Sequence, residues 1–115
     1  MKKYSHKTGT LKDLRDYREY DRTKDVVPMM GAHSAIVVQS IKNDLIAGKP
    51  IRKPVVLTIF RQLGKIFGLI TEGNHRITSC VEAGLPDDYK LKVAVKEVNS
   101  LDGFSEKRKS KFKEI

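Results

Sequence analysis

Apolar positions along this chain change period several times, and each change marks an element. Between Leu11 and Lys24, Leu11, Leu14, Tyr17 and Tyr20 recur every third residue among dense charges of both signs. That spacing predicts one helix with a narrow apolar stripe. The stretch Val26–Gly31 is apolar but broken by Pro28, as in a short edge strand or an entering loop. Val37, Val38, Ile41 and Leu45 then follow the i, i+3/i+4, i+7 rule, predicting a second helix with Ser34 as N-cap and Gly48 as its left-handed stop. Pro50 and Pro54 make Lys49–Pro54 a connection. The β-branched run Val55–Phe60 reads as a strand, Arg61–Lys65 as a turn containing Gly64, and Ile66–Thr71 as the return strand of a hairpin. Further on, Leu91, Val93 and Val95 alternate with Lys92, Ala94 and Lys96, the signature of a strand with one buried face.

The most abrupt change falls at Glu72-Gly73-Asn74-His75-Arg76, where a strand pattern becomes a helical one. Ile77, Cys80 and Val81 recur at helical spacing, which predicts a helix from about His75 to Ala83, ended by Gly84 with Pro86 beyond. Gly73 permits the reversal, so Asn74, His75 and Arg76 fall at a helix N-terminus. Unsatisfied backbone N–H groups and the positive end of the helix dipole converge there. The Arg76 guanidinium adds a forked donor suited to phosphate oxygens. The stretch therefore reads as an anion cradle, with Thr78 and Ser79 able to assist from the first turn. The plain structural alternative makes His75 a capping or core histidine and Arg76 a surface charge.

Composition narrows the picture. A chain of 115 residues suits one domain with one modest core. No stretch reaches the length of an apolar membrane span and the basic start MKKYSHKTGT lacks the apolar segment of a secretory signal, so the expectation is a cytoplasmic protein with no membrane partner. Cys80 is the sole cysteine, so no internal disulfide and no cysteine-based metal site can form. Its place on the apolar helix face predicts a buried, passive thiol. No His/Asp/Glu cluster has metal-ligand spacing, so no metal site is assigned.

The formal charge is +9, from 23 basic and 14 acidic residues, which suits a polyanionic partner or an anionic ligand. Much of it lies in the ends. Residues 1–10 read as a mobile basic arm, and the last twelve, FSEKRKSKFKEI, hold five basic residues against two acidic ones, as in a solvated tail or frayed helix. Tyr17 and Tyr20 among Arg15, Arg18 and Arg22 also resemble a nucleic-acid surface, although a packed amphipathic helix explains them as well. The division expected is a basic arm and N-terminal helix over 1–25, a domain over 26–99, and a basic tail over 100–115.

The succession SIKNDLIAGKPIRKPVVL, hairpin, ITEGNHRITSCVEAGLP, strand resembles the ParB/sulfiredoxin superfamily, specifically the ParB N-terminal-like domain. The resemblance covers about Ser34–Val98, and its most specific part is Gly73-Asn74-His75-Arg76. It implies an α+β (α/β-like) single domain with a mixed sheet and packed helices. In partition proteins the arginine motif at this turn holds the triphosphate of CTP, and DNA binding falls partly to a separate helical domain that has no counterpart here. In sulfiredoxins the residue between Gly and His-Arg is the catalytic cysteine. Asn74 stands there in this chain, which argues against sulfinic acid repair. In the related free-serine kinases an acidic residue before the Gly acts as a base, and this position is Glu72.

Three readings follow. The first is a nucleotide-binding module associated with nucleic acid, DNA more than RNA, with CTP or ATP and Mg²⁺ held by Gly73, Asn74, His75, Arg76, Thr78 and Ser79. The second is a small phosphotransferase, nucleotide hydrolase or nuclease using Glu72 and His75 as catalytic groups. The third is a regulatory module with a vestigial pocket that presents Leu11, Tyr17 and Tyr20 to a homodimer or another protein.

Overall fold

The computed structural model describes residues 4–19 and 31–115, so Tyr20, Arg22 and residues 26–30 lie outside the described residues. In chain order the elements are β1 (Tyr4–Thr10), α1 (Leu11–Arg15), α2 (Gly31–Ile46), β2 (Val55–Gln62) and β3 (Lys65–Glu72). They are followed by α3 (Asn74–Glu82), β4 (Lys90–Val98), α4 (Glu106–Lys109) and β5 (Lys113–Glu114). The strands form one mixed sheet in the order β1-β4-β2-β3-β5, with β2 and β4 parallel and the other pairs antiparallel. The chain is thus a small α+β domain.

At its turn the β2–β3 hairpin is longer than the β-branched runs alone indicate, by Arg61 and Gln62 on the first strand and by Lys65 on the second. Gln62 pairs with Lys65, so the loop is only Leu63-Gly64, with φ of 52° and 76°. Two left-handed residues make a turn of the I′ kind, whose twist matches the strands it joins. Alternation then sends Val55 and Ile70 to one face of the sheet, joined there by Leu91 and Val93 of β4. Leu11 and Leu14 of α1 and Ile77 and Cys80 of α3 close over them as a single core. Each such side chain, fully withdrawn from water, contributes about 1.5–3 kcal/mol. On the opposite face Thr58 and Leu69 are also buried, and Thr58 and Thr71 share a hydroxyl hydrogen bond of 2.8 Å.

Helix α2 packs on α3 through Val38, with Leu45 against the core. Its backbone turns helical at Gly31, which places Ser34 inside the helix and not at its N-cap. Gly48, at φ 82°, follows the last turn as expected. Ile36 and Ile46 face solvent, so the apolar stripe is narrower than the residue types imply. No helix among the described residues is long and apolar enough to cross a membrane.

The ends depart most from expectation. Tyr4–Thr10 is not a mobile arm: it pairs along its whole length with β4, from Tyr4 opposite Lys96 to Thr10 opposite Lys90. Gly9 permits this, since a Cβ there would lie 3.1–3.3 Å from Val93 and Leu14. Thr10 caps α1, which ends after one turn because the chain then leaves to run beside β3. The Ile70 N–H donates to the Tyr17 carbonyl at 2.7 Å, and Arg18 forms a parallel bridge with Ile70. Tertiary pairing thus ends the helix before Tyr17, although Tyr17 still packs against the core with Leu11 and Leu14.

The C-terminal tail is likewise docked. Ser105 caps α4, β5 pairs with Phe67 and Gly68, and Ile115 N–H donates to the Ile66 carbonyl. Both ends therefore belong to the sheet of the central domain.

Candidate anion-binding site

Strand β3 reaches α3 through Gly73, whose φ of 99° lies where L side chains are strained. Space is as restrictive as conformation. A Cβ at this position would stand 2.5 Å from Val55 Cγ1 and 3.0 Å from Arg76 Nη1. The first intrahelical hydrogen bond runs from Ile77 N–H to the Gly73 carbonyl at 3.1 Å, and Gly73 supplies no side-chain cap. The first turn of α3, carrying Asn74, His75 and Arg76, is thus the uncapped positive end of the helix.

Arg76 leaves that turn toward the loop before β2. Its Nη1 donates to the Pro54 carbonyl at 2.8 Å, and its remaining donors make no hydrogen bond or ion pair among the described residues. It enters a groove of about 460 Å³ that it shares with the end of α2 and the loop Lys49–Lys53. Ile41, Leu45, Pro50 and Ile51 give the groove an apolar lining, while Lys49, Arg52, Lys53 and Arg76 supply cations against one acid, Asp44. Asp44 lies 3.8 Å from Lys49, and Arg52 and Lys53 have no acidic partner among the described residues. Burial pulls the Arg76 guanidinium below its usual range, and the nearby Glu72 carboxylate acts in the opposite sense. A half-desolvated fork among further cations is suited to a phosphate or carboxylate.

The other expected site residues divide. Glu72 is exposed at the end of β3, near enough to Arg76 to favour its charge. His75 is half-buried on the first turn, with its carbonyl accepting the Ser79 hydroxyl at 2.6 Å. Gly73, Asn74 and His75 do not line the groove that holds Arg76. Asn74, Thr78 and Ser79 point elsewhere. The Asn74 amide donates to the Ile70 carbonyl at 3.0 Å and accepts the Glu19 N–H at 2.7 Å. Thr78 is buried and accepts from Arg18 Nη1 at 3.2 Å. Ser79 is fully buried beneath α2, within 3.3 Å of the Val38 carbonyl. These three hold α3 in place: Asn74 and Thr78, one helical turn apart, share the face toward Glu19 and Arg18, and Ser79 turns beneath α2.

Residues that periodicity does not single out complete the arrangement. The loop Lys49–Lys53 contributes the groove's cations and takes its shape from Pro50 and Pro54. Glu19, which belongs to no periodic pattern, is held by its N–H to Asn74, by its carbonyl to Lys111 Nζ at 2.8 Å, and by its carboxylate 2.8 Å from Arg108 Nε. Cys80 is inaccessible, and burial pushes its thiol up to about 11. Among the described residues no group of three or more His, Cys, Asp or Glu could hold a metal ion.

No protein-family model matches this chain, and neither the curated proteins nor the solved structures include one significantly similar to it.

Proposed function

We propose that this protein is a nucleotide-binding module, ParB-like in its arrangement, that takes the phosphates of its ligand in the groove between α2, the loop Lys49–Lys53 and the first turn of α3. The observation that carries this is the position of Arg76. It shares a groove with Lys49, Arg52 and Lys53 while most of its donors remain without a protein acceptor. The apolar lining from Ile41, Leu45 and Ile51 offers a flat body, such as a base, a surface beside the charges. CTP and ATP, with Mg²⁺ carried on the phosphates, are the ligands of choice. Arg76 reaches the groove from the N-terminal end of α3, where the helix dipole favours negative charge. Association with nucleic acid follows from the net charge of +9.

A catalytic second reading rests on Glu72, whose exposed carboxylate sits beside the Arg76 charge, as a phosphotransferase base or metal-water contact would. A protein partner or homodimer is a third. Titrating purified protein with ATP and CTP in the presence of Mg²⁺, and assaying turnover, separates them. Saturable binding without turnover is the expected result. Turnover would favour the catalytic reading, and absence of both would overturn nucleotide recognition.

A further inference from the structure

The basic residues of this chain differ in how far the fold already engages them. In the C-terminal segment, every cation but Lys107 is already engaged among the described residues. Arg108 meets Glu19, Lys109 meets Glu106, and Lys111 and Lys113 donate to the carbonyls of Glu19 and Asp16. At the hairpin end, Arg61 and Lys65 face Glu97 and Glu114. A polyanion would have to break these contacts before using those charges.

The opposite end of the sheet differs. Lys90 and Lys92 open β4, both exposed and neither with an ion-pair partner among the described residues. Because Leu91 and Val93 turn inward, alternation sends Lys90 and Lys92 to the same outer face, roughly 7 Å apart along the strand. Their cross-strand partners are Thr10 and Thr8, which therefore stand on the same face as the two lysines, Thr10 also accepting the Asp13 N–H as the cap of α1. β2 enters the sheet next to them, with Val55 opposite Val93, so the loop bearing Arg52 and Lys53 leaves the sheet at the same end. Like charges held side by side on a rigid strand repel one another, and neutralisation by a polyanion relieves that repulsion.

We propose that this outer face of β4, Lys90 and Lys92 with Thr8 and Thr10, is the surface that contacts the phosphate backbone of nucleic acid. The proposal rests on the nucleic-acid association in the reading above, and it assigns that contact to a strand face, away from the basic tail. Lysines interleaved with hydroxyls are backbone-contacting chemistry, and no side chain here is shaped to read a base edge, so binding is sequence-tolerant. A nucleic acid fits better than an anionic membrane because the face offers no apolar residue to insert.

The test is anisotropy of a labelled DNA duplex of arbitrary sequence, titrated with the full chain across a series of salt concentrations. Lys90→Gln/Lys92→Gln should lower affinity and reduce the slope of log affinity against log salt by about two, close to one per lost phosphate contact. Lys109→Gln/Lys111→Gln in the tail, where both ammonium groups are already engaged, should leave the slope unchanged, and Lys90→Arg/Lys92→Arg should retain it. Thermal melts confirm that each variant is folded. Nucleotide titration of the same proteins distinguishes the two readings. Loss of duplex binding with nucleotide binding intact in Lys90→Gln/Lys92→Gln supports the strand face, whereas wild-type protein that binds nucleotide but no duplex overturns this proposal and leaves the groove standing. An unchanged slope in Lys90→Gln/Lys92→Gln, a slope lost instead with the tail variant, or binding to anionic vesicles in place of the duplex would each overturn it.

Discussion

Asn74 Oδ1 accepts the backbone N–H of Glu19 at 2.7 Å, joining the turn that opens α3 to a segment 55 residues earlier in the chain. The same amide donates to the Ile70 carbonyl, so one side chain fixes three pieces of backbone. Asn74→Ala leaves a donor and an acceptor without partners, and each half-buried orphan costs about 1–3 kcal/mol. Asn74→Asp keeps the acceptor for Glu19 but loses the donor and sets a carboxylate against the Ile70 carbonyl. Both variants should unfold at lower denaturant than wild type with unchanged m-value. Wild-type stability in both would show that this link is dispensable.

That link also shows which parts of the fold the sequence discloses. The β2–β3 hairpin, α3 and the inward face of β4 are legible because each is specified by neighbours within a few residues: Gly64 in the turn, Gly73 and Gly84 around the helix, and Leu91/Val93 in alternation. Arg76 and the loop Lys49–Lys53 share one groove, a meeting of distant segments that no local pattern specifies. Strand β1 is different, since YSHKTGT carries no alternation and becomes a strand only through β4. The docked tail depends on Arg108 finding Glu19 across 89 residues, a relationship no local window contains. Thr78 and Ser79 mislead for the opposite reason: their residue types suit phosphate, but the helix turns them inward.

The Glu19–Arg108 pair should be worth more than an exposed one. The Glu19 side chain is 7% exposed, and Arg108 also lies 5.3 Å from the centre of the Phe104 ring. Removing one partner leaves a buried charge uncompensated. Arg108→Met should therefore destabilise by roughly 2–4 kcal/mol, discounted from the fully buried case because Arg108 is partly solvated. Adding Glu19→Gln should recover part of that loss, which a double-mutant cycle by urea unfolding measures. Strict additivity would mean that the pair does not couple.

Cys80 gives the fold an alkaline dependence. Burial raises its thiol from 9.0 to about 11, so the folded chain keeps the proton that the unfolded chain releases first. Its stabilising contribution is whole below about pH 9 and disappears as pH rises toward 11, a loss of roughly 2–3 kcal/mol. Tyr89, raised by burial in the same sense, adds to the decline. Cys80→Ala should flatten the pH-dependence of the melting temperature between 9 and 11 without abolishing it. A native thiol that reacts rapidly with a labelling reagent at neutral pH would contradict the burial on which this rests.

Leu63 is 94% exposed at φ 52°, in a turn that favours asparagine before glycine. Leu63→Asn removes strain at a left-handed position without touching the core. Stability should rise by about 0.5–1 kcal/mol. A lower melting temperature would mean that Leu63 has a packing role in solution.

Whether Arg76 grips phosphate is read by isothermal titration of ATP and CTP into wild type, Arg76→Ala and Arg76→Lys. Loss of the bond to the Pro54 carbonyl should lower stability by about 1 kcal/mol in Arg76→Ala, a change that thermal melts record separately. Ligand affinity should fall about tenfold to a few hundredfold in Arg76→Ala, through lost charge-assisted hydrogen bonds of roughly 1.5–3 kcal/mol each. Arg76→Lys should lie between, because it keeps the charge and loses the fork. Equal affinities in all three folded proteins would mean that Arg76 holds no phosphate and serves only as a tie between α3 and the loop before β2.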